Sequence, residues 1–207
     1  MFGATVGAVT YGPGVGDFYQ YYYALGESDE SAVDRVRETV RLFMSCRETR
    51  NPDPGGVVVA AGAPVIDDEL DALMDWGIAH LDTAHDDQDL RNSPRSAGIL
   101  PMLGFDWGHS GSYITMPQCL ECEIDVDLGN DHCDAWFEQG IEPILTCDGC
   151  GRTAPAGDFS LHTTMMFRTN CGVMLENWPS LEHYGATVHS RALELIGRRP
   201  SYTIRKS

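Results

Sequence analysis

Two cysteine brackets, Cys119-Leu-Glu-Cys122 and Cys147-Asp-Gly-Cys150, separated by 24 residues, constrain this chain more than any other feature. Two intervening residues let both thiols of a bracket turn toward one point, and two brackets supply the four soft donors that a tetrahedral Zn²⁺ accepts. The separation slightly exceeds the usual window for repeated C-x₂-C pairs, yet a hairpin and a loop can close it. A strand-like stretch precedes each bracket, Tyr113-Ile114-Thr115-Met116 and Pro143-Ile144-Leu145-Thr146, which suggests two halves of one pseudo-symmetric unit. In the second half, Gly149 and Gly151 flank Cys150, and glycine permits the positive φ that aims backbone N–H groups at a metal-bound sulfur. Glu123 stands in the place of Gly151 in the first half, which predicts a distorted or more exposed first knuckle.

The expected site is therefore a structural zinc ribbon held by Cys119, Cys122, Cys147 and Cys150. Unligated thiols and two CxxC disulfides are the alternatives. A redox bracket sits at a helix N-terminus, where the dipole lowers the thiol pKa, and neither bracket opens a helical pattern. His132 and Cys133, between the knuckles, can also replace one ligand. An odd total of seven cysteines fits a reducing compartment better than a disulfide framework, and Cys46, Cys133 and Cys171 then read as small buried hydrophobes.

Charge narrows the partners. The chain carries a formal net charge of −17 and one lysine, Lys206. Phosphate affinity depends on clustered Lys and Arg that release counterions, so nucleic-acid binding is disfavoured despite the ribbon. Arg198-Arg199 with Arg205-Lys206 is the one basic cluster, and charge complementing a helix C-terminus and a solvated tail accounts for it more simply than a phosphate contact. No stretch reaches the 18 or more apolar residues of a membrane span, and the start lacks the pattern of a secretory signal; a cytoplasmic, non-membrane location is expected.

Three helices are predicted. Val33, Val36, Val40 and Phe43 set an apolar stripe over 31–46, Leu70, Leu73, Met74 and Leu81 another from a cap at Asp67 to near His80, and Leu181, Tyr184, Val188, Ala192 and Leu195 a third that stops at Gly197. Strand candidates are 5–11, 57–61, 114–116, 144–146, 159–167, 173–175 and 202–204. Breakers between 92 and 112, among them Pro94, Pro101 and Gly104, predict a hinge or loop there. The fold class is α+β: a small mixed or antiparallel sheet covered by helices, with β-α-β units, residues 1–111 and 157–207 forming the core and 112–156 an inserted ribbon. Tyr19, Tyr21, Tyr22 and Tyr23 read as a strand packed on that core rather than a sticky surface.

From the first knuckle, Cys119-Leu-Glu-Cys122-Glu, through Asp158-Phe159 to the last helix and strand, about half the chain resembles a group of uncharacterised bacterial proteins of similar size. These two-knuckle zinc-ribbon proteins place the ribbon inside an α/β domain, and their first knuckle usually reads C-P-x-C-G. The resemblance implies a fold and a metal, not a reaction.

Three functions fit. The first is a non-enzymatic zinc-ribbon interaction protein whose acidic surface binds a basic protein partner. The second is a metal-dependent hydrolase built on His80, Asp82 and His85, although the spacing matches no H-E-x-x-H motif and an acidic loop explains the same residues. The third is nucleic-acid binding through the ribbon or Arg198 and Arg199. Gly12-Pro13-Gly14-Val15-Gly16 lacks the Lys-Ser/Thr of a P-loop and reads as a turn.

Overall fold

A computed structural model describes residues 18–50, 57–79, 99–103, 105–107, 117–129, 132, 135–136, 139, 141–159, 167–176, 178 and 186–206. In chain order the elements are β1 (Phe18–Ala24), α1 (Asp29–Met44), β2 (Arg47–Arg50), β3 (Val57–Ala60), α2 (Asp67–Ala79), β4 (Ile99–Met102), β5 (Phe105–Trp107), β6 (Ile144–Thr146), β7 (Thr153–Pro155), β8 (Phe167–Thr169), β9 (Cys171–Glu176), α3 (Ala186–Ile196) and β10 (Pro200–Lys206). The fold is α+β. The expected strands at 5–11 and 114–116, and the turn at 12–16, lie outside the described residues.

Four strands form the main sheet in the order β10-β1-β9-β4, each antiparallel to its neighbours. β9 and β10 therefore run parallel to each other with β1 between them, and α3 connects them. β1 and β4 are likewise parallel, with β9 between them and α1 and α2 in the connection. The first expected β-α-β unit joins strands 5–11 and 57–61, but β3 pairs antiparallel with β2 outside the main sheet and 5–11 lies outside the described residues. The parallel pairs observed, β1 with β4 and β9 with β10, take the split form and together follow the β-α-β-β-α-β plan. Two-stranded antiparallel pairs, β2 with β3, β5 with β8 and β6 with β7, complete the strands.

The tyrosine-rich strand β1 explains why the sheet is buried on both sides. Side chains alternate between faces along a strand. Tyr22 and Ala24 join the core beneath the helices, whereas Tyr21 and Tyr23 join a second core on the other face. β9 divides in the same way, with Val173 and Leu175 toward the helices and Met174 opposite. β1 is a central strand, so the aromatic run is interior on both faces.

The helical side follows the apolar stripes. Val36, Val40 and Phe43 of α1, Leu70, Leu73 and Met74 of α2, and Val188, Ala192 and Ile196 of α3 all enter the first core. Helix α1 begins at Asp29, two residues before the expected start at 31. Ser28, extended at φ −73° and ψ 152°, accepts from the Ser31 N–H and becomes the cap. Asp67 lies within the first turn of α2 rather than capping it, and its carboxylate takes the Arg41 guanidinium at 2.8 Å. In α3, Ile196 rather than Leu195 faces fully inward. Polar contacts cross this layer: Tyr202 Oη donates to Gln20 Oε1 at 2.9 Å, the buried Gln20 Nε2 donates to the Trp178 carbonyl at 3.1 Å, and separately Tyr22 Oη lies 2.9 Å from His189 Nδ1.

The segment read as a hinge contains two strands, β4 and β5. Pro101 does not prevent β4 from pairing because β4 is at the sheet edge, where a missing N–H costs no ladder bond on the open side. Of the strand expected over 159–167, residues 160–166 lie outside the described residues. A 3₁₀ turn, Ala156–Asp158, leads into Phe159, and Phe167 belongs to β8. Among the described residues, no helix is long and apolar enough to cross a membrane.

Candidate metal centre

The two brackets meet. Sulfur atoms of Cys119, Cys122, Cys147 and Cys150 all lie within 4.8 Å of one another. Between knuckles, Cys119 Sγ lies 3.6 Å from Cys150 Sγ and Cys122 Sγ 3.4 Å from Cys147 Sγ. Zn–S bonds of about 2.3 Å at tetrahedral angles place sulfurs about 3.8 Å apart, so the cluster has the size of a four-thiolate site. A disulfide requires about 2.05 Å, and all four thiols are free.

Each knuckle is built by the same backbone pattern. Cys119 N–H donates to the Ile124 carbonyl at 2.9 Å and Glu123 N–H to the Cys119 carbonyl at 2.8 Å. Cys147 N–H donates to the Arg152 carbonyl and Gly151 N–H to the Cys147 carbonyl, both at 2.8 Å. The turn closes through a left-handed residue just after the second cysteine: Gly151 at φ 75° and Glu123 at φ 60°. Glu123 is the one non-glycine residue with positive φ among the described residues.

The expectation that Glu123 distorts or exposes the first knuckle is therefore corrected. The exposed glutamate side chain leaves the backbone free to copy the glycine conformation, at a cost of about 1–2 kcal/mol. At the sulfurs the first knuckle is the better covered one. Cys119 and Cys147 are both fully buried, but Cys122 is half-buried where Cys150 is exposed. Gly149 matters for a different reason: a Cβ there would stand 2.4 Å from Ile124 Cδ1, displacing that side chain, and 3.3 Å from Cys122 Sγ, a tight contact with a ligand sulfur. Without a side chain at that point, the two knuckles can close on each other.

The thiols are electrostatically unequal. The Glu121 N–H, helped by the Cys122 N–H and neighbouring thiols, outweighs desolvation and brings Cys119 down to about 7. The Ile124 N–H acts in the same sense on Cys122, but adjacent cysteines and desolvation push that thiol up to about 12. Four sulfurs this close repel one another when ionised, and a divalent cation at their centre removes that repulsion. Cys46 and Cys171 are different. Burial pushes them up to about 11 and about 12, as suits inert core thiols.

A hydrophobic core supports the centre. Cys119 and Cys147 pack with Val126, Leu128, Trp136 and Leu145 of their own segment and with Tyr21, Tyr23, Leu100 and Met174 of the main sheet. The cysteine segment thus covers the sheet face opposite the helices. Arg199, at the start of the last strand, fastens this contact from the side. Its guanidinium donates to both oxygens of Glu142, at 2.6 and 2.8 Å, and to Asp158 at 2.8 Å, while Glu142 also accepts the Gly157 N–H at 2.7 Å. The reading of Arg199 as helix-terminal or tail charge is corrected by these contacts, and its fork is occupied by carboxylates. Arg198 contributes its backbone N–H to Glu27 at 2.8 Å. Glu142 and Asp158 had no local signature, because their partner lies 57 and 41 residues away.

Among the other expected site residues, His132 is exposed and is not in the cysteine group. Cys133, and the His80, Asp82 and His85 cluster, lie outside the described residues. No known protein family, curated protein or solved structure matches this chain. The cysteine cluster is compatible with a zinc ribbon, and no family or homologue match accompanies it.

Proposed function

We propose that Cys119, Cys122, Cys147 and Cys150 hold a structural Zn²⁺ in a two-knuckle zinc ribbon, and that the protein is a non-enzymatic interaction module whose acidic surface meets a basic protein partner. The convergence of four free thiols into a cluster of tetrahedral-thiolate size is the observation that supports the metal. Two buried and two less buried sulfurs leave no gap in an all-cysteine set, and closed four-ligand sites are structural rather than catalytic. The partner follows from the net charge of −17, which attracts basic surfaces and repels phosphate.

Elemental analysis of the purified full chain tests the metal, with one zinc per chain expected. Capture of partners from native lysate on the immobilised protein tests the rest. Basic proteins released by high salt are the expected result; a captured set without basic bias, insensitive to ionic strength, refutes the charge-based reading.

A further inference from the structure

The first knuckle presents apolar side chains to solvent instead of burying them. Among the described residues, five large hydrophobic side chains are exposed, and four of them, Leu120, Ile124, Ile141 and Ile144, belong to the cysteine segment. Leu120 is 63% exposed and Ile124 46% exposed, and both sit on the tight turn that Cys119 and Cys122 define. Ile124 reaches across to Gly149 of the second knuckle and so stands over the junction of the hairpins, and with the exposed Leu120 of the same turn it makes up the apolar knob of the first knuckle. Packing does not require them there, since Leu145, Val126 and Leu128 already supply the interior contacts of the segment. Exposed aliphatic side chains grouped on a small rigid element mark a binding surface.

Charge around the knob selects the occupant. Glu121, Glu123 and Asp125 alternate with the apolar residues along the first knuckle, and Asp148 adjoins Gly149 in the second; all four are exposed. Arg152, which pairs with Glu121 at 3.4 Å, is the one cation recorded beside them among the described residues. A second copy of this chain would bring an equal acidic rim against the first, and a nucleic acid would bring phosphate; both are repelled.

We propose that the Leu120–Ile124 knob, with its rim of Glu121, Glu123, Asp125 and Asp148, is the docking point for a Lys- or Arg-rich polypeptide segment that carries aliphatic anchor residues. The inference rests on the reading above and deepens it: the basic partner is engaged at the ribbon, not by the acidic surface in general. Apolar contact supplies the anchor at the centre and the carboxylates supply orientation at the rim, the usual division in an interface.

A synthetic amphipathic peptide of alternating leucine and lysine turns is the probe, with a leucine and glutamate peptide as control, titrated against the zinc-loaded full chain by fluorescence anisotropy. Binding of the lysine peptide alone is expected. Leu120→Ser with Ile124→Ser should weaken it about tenfold or more, because each exposed side chain loses roughly 1 kcal/mol of apolar contact. Asp125→Asn with Asp148→Asn, which leave the apolar pair in place, should weaken it several-fold and flatten its salt dependence. Unchanged affinity in the Leu120/Ile124 variant overturns the docking site while leaving a general acidic surface intact. Failure of the unsubstituted chain to bind the lysine peptide at low salt overturns both. Self-association of the chain that the Leu120/Ile124 variant abolishes overturns the occupant. Zinc content and melting temperature equal to the parent protein confirm that each variant is folded.

Discussion

Arg199 is where the cysteine segment and the main sheet are held by charge as well as by packing, and its removal should be felt in both. Arg199→Met keeps most of the aliphatic stem and deletes three charge-assisted hydrogen bonds, two to Glu142 and one to Asp158. Such bonds contribute about 1.5–3 kcal/mol each when both partners are desolvated. Here the Arg199 and Glu142 side chains are 28% and 17% exposed and Asp158 is 39% exposed, so solvent returns part of that energy. Glu142 is left with the Gly157 N–H as its remaining recorded donor, which adds a desolvation penalty. A net loss of about 2–3 kcal/mol follows. Urea unfolding of the zinc-loaded chain, followed by tryptophan fluorescence, measures it, and a double-mutant cycle with Glu142→Gln isolates the pair. Coupling of about 1–3 kcal/mol is expected. Arg199→Lys should recover less than half, because an ammonium cannot engage both oxygens of Glu142 and Asp158 in one plane. Coupling below about 0.5 kcal/mol, or full rescue by lysine, refutes the assignment of Arg199 as the bidentate fastening between segment and sheet.

Cys147→Ser should abolish stoichiometric zinc binding and unfold at least the ribbon, since structural zinc contributes an apparent ~10–16 kcal/mol in zinc-finger peptides; a normal melting curve with full zinc retention contradicts this. Glu123→Gly relieves the left-handed strain of about 1–2 kcal/mol but frees the unfolded chain, so a net stabilisation of up to about 1 kcal/mol is expected in urea unfolding, and a loss of stability refutes the strain argument. Burial lowers the pKa of His189, so the folded protein binds fewer protons there than the unfolded chain. The corresponding stability is complete above the ordinary histidine value near 6.5 and declines as pH falls below it. Comparing parent and His189→Gln unfolding at several pH values from neutral to mildly acidic should show the parent losing more stability on acidification; identical pH profiles count against desolvation of this half-buried imidazole.

Much of the helical layer was legible. Periodicity at Val36, Val40 and Phe43, and at Leu70, Leu73 and Met74, identified inward faces because a helix that covers a sheet must present one apolar stripe. The pairing of the brackets was legible too, since a C-x₂-C turn carries its geometry within six residues; the left-handed position was legible at Gly151 but missed at Glu123, where an exposed side chain adopts it without distorting the turn. The ends of elements were less so. Ser28 and Ser31 are equally able to cap, and the tertiary contacts of Glu27 with Ser31, Arg35 and Arg198 lie on this turn and settle the choice. Pro101 read as a breaker because its tolerance depends on which strand lies at the sheet edge, and that depends on the order of four strands distant in sequence.

Local chemistry alone determined that this is an acidic α+β chain with four thiols arranged for one ion, because ligand type, bracket spacing and apolar period are all written within a few consecutive residues. The tertiary structure decided that the tyrosine strand lies at the centre of the sheet, that the cysteine segment covers the face left open by the helices, and that Arg199 joins them. Those outcomes depend on partners 41 to 57 residues apart or on strand order, and no short-range preference encodes the meeting of groups so far separated along the chain.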